Sequence, residues 1–181
     1  MQNAKAVLDF WFVEHGPEQW FSGDAAFDEK LAERFADLHA EVARGEAWQW
    51  RETPEGRLAE IIVLDQFSRQ LHRGKPEAFA QDAMALALAQ EAITAGADDA
   101  VDHAWAKFFY MPHMHAESLV IQDEGVRLFE LYGDEKTLDF MKEHRDTIAK
   151  FGRFPKRNAA LSRKNTPEET AYIEAAGDRM F

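Results

Sequence analysis

The sequence predicts an all-α chain, and three observations carry that expectation. Apolar residues return every three or four positions in segment after segment. Helix-capping residues sit where those segments begin and glycines where they end. No stretch alternates apolar and polar residues as a half-buried strand does. In order, residues 3–12 carry Val7, Leu8, Phe10 and Trp11 on a short amphipathic pattern, and "HGPEQWFSGD" reads as a loop. Residues 24–44 repeat Phe27, Leu31, Phe35 and Leu38 until Gly45 stops them. Thr53 and Pro54 supply an N-cap and a first helical residue for a helix to about Leu71, broken by "RGKP". Pro76 opens an Ala- and Leu-rich helix that Gly96 ends, and "DHAWAKFFY" follows as a short aromatic segment. Pro112 starts a helix to Tyr132, stopped by Gly133. Asp134 caps the next, which ends near Lys150. "TPEE" is a capping box for a last helix that ends at Gly177. About seven to eight helices with short turns imply stacked antiparallel pairs, in one domain over residues 1–181.

Composition bounds the function classes. The chain has 181 residues, 46% of them hydrophobic, with 14 Phe and 5 Trp, which is ample material for a core and argues against disorder. Cysteine is absent, which excludes disulfides, thiol catalysis, thiolate zinc and iron–sulfur clusters. The start "MQNAKAVLDFWF" lacks the features of a signal peptide, and no run reaches the roughly 18 apolar residues of a spanning helix, so a cytoplasmic location with no membrane partner is expected. The net charge of -12 disfavours nucleic acid as a partner.

One stretch departs from that acidity. Thr147 to Pro167 contains no Asp or Glu, yet holds Lys150, Arg153, Lys156, Arg157, Arg163 and Lys164. Gly152 and Pro155 make a defined turn, which Phe151 and Phe154 are expected to anchor. Arg153, Arg157, Asn158 and Arg163 would then project from a stiff backbone. Arginine forks match the oxygens of a carboxylate or phosphate, whether on a ligand or on the protein's own Asp and Glu. The spacing of Asp65 and Arg69 puts an acid–base pair on a buried helix face, either as a structural ion pair or at a cleft wall. His113 and Glu117 fall four apart on the first turn of the expected helix, and His115 shares a face with Leu119, Gln122, Val126 and Phe129. A metal site is the tempting reading of these residues. His113 and His115 point to different faces, however, and hydrogen-bonded histidines are preferred, with no metal and no cofactor expected.

The blocks "VLDFWF", "GRLAEIIVLDQFSRQLHRG", "FFYMPHMHAES" and "FGRFPKRN…LSRKNTPEE", in this order, resemble the bacterial family called domain of unknown function 924. The similarity runs from Val7 to Glu169. It implies a tetratricopeptide-like right-handed superhelix with no established activity. The family pattern resembles "LDQFPRN", where this chain has Ser68 and Gln70. It resembles "PFMHSE", "FGRFPHRN" and "LGR", where His113, Lys156 and Ser162 stand instead. Asp65, Gln66, Arg69, His115, Glu117, His144, Arg153, Arg157, Asn158 and Arg163 match, and they carry over as a candidate polar cluster.

Two functions follow from these residues. One is a groove-type binding module for an anionic small molecule or acidic peptide. Arg153, Arg157 and Arg163 would clamp the anion and Asn158 orient it, with Asp65, Gln66, Arg69 and Tyr110 around it. The other is a metal-independent hydrolase or lyase on an anionic substrate. There His115 or His144 would be the general base, oriented by Glu117 or Asp65. An internal ion network with no ligand is a third reading.

Overall fold

The computed structural model describes residues 3–177, which are helical with no strand among them. Among the described residues, no helix is long and apolar enough to cross a membrane. The chain divides into two compact units, one of Met1–Arg73 with Glu77–Pro112, the other of Gly74–Pro76 with His113–Phe181.

In the first unit, Asn3 caps α1 (Ala4–Leu8) by accepting the Ala6 N–H, and a π-helical turn, Asp9–Glu14, continues it. The expected loop after it contains a short helix, α2 (Pro17–Trp20). Gln19 closes that turn by accepting the Gly16 N–H at 3.0 Å, and the Trp20 indole donates to the Trp11 carbonyl at 2.8 Å. Asp24 caps α3 (Ala25–Ala43), whose inward face is Phe27, Leu31, Phe35, Leu38 and Val42. A 3-10 turn at Trp48–Glu52 leads to α4 (Pro54–Ile62), capped by Thr53 as expected. Helix α4 passes through a π turn, Val63–Phe67, into α5 (Ser68–Leu71), so the long helix expected to Leu71 exists with one widened turn. Pro76 opens a 3-10 turn, Pro76–Phe79, and α6 (Asp82–Thr94) begins only after it. Helix α1 packs on α4, α4 on α6, and α3 on α5. Phe10, Trp11, Phe35, Phe67 and Phe108 are fully buried and close a ring cluster with centroids 5.0–6.1 Å apart. Such rings bury 150–250 Å² each and dominate a core of this size.

The helix expected from Pro112 is placed differently. Pro112 lies inside α7 (His103–Met114), and α8 (Leu119–Tyr132) starts after a break. Proline removes only one donor, so α7 tolerates it near its end. The fully buried Gln122 amide then takes up the end of α7, donating to the carbonyls of His113, Met114 and Ala116 at 3.3, 2.7 and 2.8 Å. Orphaned helix-end carbonyls need such partners. His113 therefore belongs to the last turn of α7, and His115 and Glu117 to the connector, not to a helix with Leu119.

In the second unit, α8 and α9 (Glu135–Phe151) form a helical hairpin. Gly133 ends α8 in the left-handed region, and Asp134 caps α9. A Cβ at Gly125 would lie 2.9 Å from the Met141 thioether, so glycine sets how closely the two helices approach. After Gly152 the chain makes the basic loop with a 3-10 turn, Pro155–Arg157. The loop leads into α10 (Pro167–Ala176), capped by the expected box of Thr166 and Glu169.

Candidate functional site

The basic loop is fixed by two carboxylates. Arg163 forks onto Glu117 at 2.7 and 2.9 Å, and also donates to Asn158 Oδ1 at 2.9 Å and to the Phe154 carbonyl at 3.1 Å. Glu117 accepts the Phe154 N–H at 2.7 Å as well. Burial alone would raise the Glu117 carboxyl; the Arg163 fork, that N–H and the charges of Arg163 and Arg157 outweigh it and hold the group below its ordinary range. Arg153 forks onto Glu169 at 2.6 and 2.8 Å and donates to the Lys164 carbonyl at 3.0 Å. Glu169 also accepts the Thr166 N–H at 2.7 Å, and Asn158 lies within 3.4 Å. The Arg153 fork, with the Thr166 N–H and Asn158, depresses the Glu169 carboxyl to about 2. Asn158 is itself fully buried and donates to Asn165 at 2.8 Å. The forks expected to hold an external anion are thus engaged by the protein's own acids in this structure.

The loop's aromatic anchor gathers a second group of residues. Phe154 is buried, whereas Phe151 is half-buried against Tyr172. The Arg157 guanidinium lies over the Phe154 ring at 4.5 Å and donates to the His115 carbonyl at 3.0 Å. The His144 ring meets the edge of Phe154 at 5.5 Å and stands 6.4 Å from His115. Its Nδ1 is 2.7 Å from the Phe140 carbonyl, which makes Nδ1 the donor and fixes the tautomer. Arg157 and His144 thus both lie against Phe154, with His115 next to His144.

Asp65, Gln66, Arg69 and Tyr110 belong to the first unit. Asp65 and Gln66 are buried in the π turn, where Gln66 donates to Asp65 at 2.5 Å. Arg69 pairs with Asp65 at 3.1 Å, as the spacing predicts, and with Asp82 at 3.0 Å. Tyr110 donates to Asp98 at 2.7 Å. Two participants escaped the sequence reading. Glu169 was legible as a cap, but nothing in "TPEE" announces Arg153 as its partner. Gln122 gave no signal beyond its place on an apolar stripe.

The chain is similar over residues 7–177 to the family described as Bacterial protein of unknown function (DUF924). It is also similar to a solved structure, a protein of unknown function from Agrobacterium tumefaciens. That structure is 42% identical, with a TM-score of 0.90 over 95% of this chain and 97% of the other. No protein of curated function matches. With its helices, its basic loop and this match over nearly all its length, the chain belongs to the DUF924 family of bacterial proteins.

Proposed function

We propose that the protein is a binding module for an anionic ligand, recognised on the second unit by His115, His144 and Arg157 around Phe154. The observation that carries this reading is the meeting of Arg157 and His144 on the buried Phe154 ring, with Arg157 4.5 Å above it and His115 6.4 Å from His144. Arg163 and Arg153 act as the frame, holding the loop in shape through Glu117 and Glu169. A frame built of bidentate pairs costs little further ordering when a ligand arrives. The tetratricopeptide-like superhelix implied by the resemblance would add a concave face, and the α8–α9 hairpin is in keeping with it.

Binding is favoured over hydrolase or lyase chemistry because both acids assigned to orient a catalytic histidine are engaged elsewhere. Both Glu117 oxygens serve Arg163 and the Phe154 N–H, and Asp65 is held by Gln66 and Arg69. The test is calorimetric titration with inorganic phosphate, citrate and a Glu-rich peptide. One of these should bind the wild type, and Arg157→Met should weaken it at least about tenfold, the loss of one charge-assisted contact. Equal binding by wild type and Arg157→Met, or none by a folded wild type, overturns the reading.

A further inference from the structure

Helix α10 is attached in an unusual way. Its inner face is Glu169, Tyr172, Ile173 and Ala176, and of these only the carboxylate residue is fully buried, at 2% exposure. Most amphipathic helices dock through an apolar stripe and leave their acids in water. Here the apolar residues are half-buried, with Tyr172 against Phe151 at 5.1 Å and its hydroxyl 3.2 Å from Thr147. The polar anchors are Arg153 on Glu169 and Lys156 on the Gly177 carbonyl at 2.8 Å.

We propose that α10 is a built-in ligand: its capped acidic N-terminus fills a seat formed by Arg153 and Asn158 that also accepts the acidic N-terminus of a partner's helix, which displaces α10. The chemistry of the seat specifies that partner. Glu169 receives the Arg153 fork while accepting its own helix's Thr166 N–H, so the matching ligand is a carboxylate at the third position of a helix capped by Ser or Thr. A free phosphate lacks the rest of this arrangement, including the tyrosine ring one turn on that lies against Phe151. The seat needs none of the His115, His144 and Arg157 contacts, so the proposal goes beyond the anion site around Phe154 and can fail without it. Tethering gives α10 an effective concentration of about millimolar order, which is why displacement is weak until the latch is loosened.

The experiment uses full-length protein and a fluorescein-labelled peptide of residues 164–177, with anisotropy as the readout. Wild type should bind it weakly. Glu169→Gln, which loosens α10 and leaves Arg153 in place, should bind it at least tenfold more tightly. Adding Arg153→Met to that variant should remove the gain, and Arg157→Met should leave it intact. The same peptide with Gln at position 169 should not bind. If folded Glu169→Gln binds the peptide no better than wild type, the proposal is overturned. Hydrogen exchange of the unmodified protein gives a check that needs no variant. Amides of α10 should exchange by a local opening well before those of α9, and exchange of both at one common rate would also overturn it.

Discussion

A charged residue can contribute through a partner it already has. Arg163 serves Glu117, Asn158 and the Phe154 carbonyl at once, so truncating it strands a half-buried carboxylate. Arg163→Ala is expected to cost about 1–3 kcal/mol, read as a shift of the urea midpoint at unchanged slope. A gain is expected one residue earlier. Ser162 is the only non-glycine among the described residues with positive φ, at 54°. That conformation costs an L-residue about 1 kcal/mol. Ser162→Gly should raise the melting temperature by roughly 2–4 °C for a chain of this size, measured by calorimetry.

Several helices were legible because a cap or a stop acts locally. Thr53, Asp134, Thr166, Gly133 and Gly152 each do in the fold what their identity implies. One error arose where a distant group decides. Pro112 reads as a start, and becomes an interior residue because Gln122 satisfies the end of α7 from another helix. The polar cluster divides in the same way. The Asp65–Arg69 pair is written in local spacing, whereas the Arg153–Glu169 and Arg163–Glu117 pairs join residues no periodicity connects. Glycines that look interchangeable also differ between elements. A Cβ at Gly56 would stand 1.9 Å from the Trp50 carbonyl oxygen, which is backbone and cannot yield. Gly56→Ala should cost about 3 kcal/mol or more, whereas Gly125→Ala should cost about 1 kcal/mol because the Met141 thioether can move. Chemical denaturation of the two variants side by side tests the ranking.

Across the molecule, charge and pH act in opposition. The net charge of -12 opposes compaction, and that repulsion fades as pH falls toward the pI near 5.0. Groups whose values are depressed work the other way, His39 and Glu169 most of all. His39 is buried, its Nε2 2.8 Å from Ser68, whose hydroxyl donates to the Leu64 carbonyl. Burial, with His72 nearby, lowers its pKa to about 4. A depressed histidine contributes stability in full above its unfolded value near 6.5 and loses it as pH falls toward 4, a change on the order of 3 kcal/mol. Glu169, with its folded value about 2 against an ordinary 4.5, contributes above 4.5 and loses that contribution between 4.5 and 2. Stability should therefore fall in two successive steps below pH 6.5. His39→Gln, which keeps a donor to Ser68, should flatten the first step and leave the second. A profile identical to wild type would exclude His39 as its source.

The π turn at Val63–Phe67 has a consequence for how the chain can change length. Elsewhere in a helix, losing one residue rotates everything downstream by about 100° and turns an inward face outward. A π turn holds one residue more than the α-helical path needs. Removing one there restores an ordinary helix and leaves the facing of α4 and α5 as it was. The segment around Asp65 is thus a place where a lineage could gain or shed a residue without losing the register of its longest buried stripe.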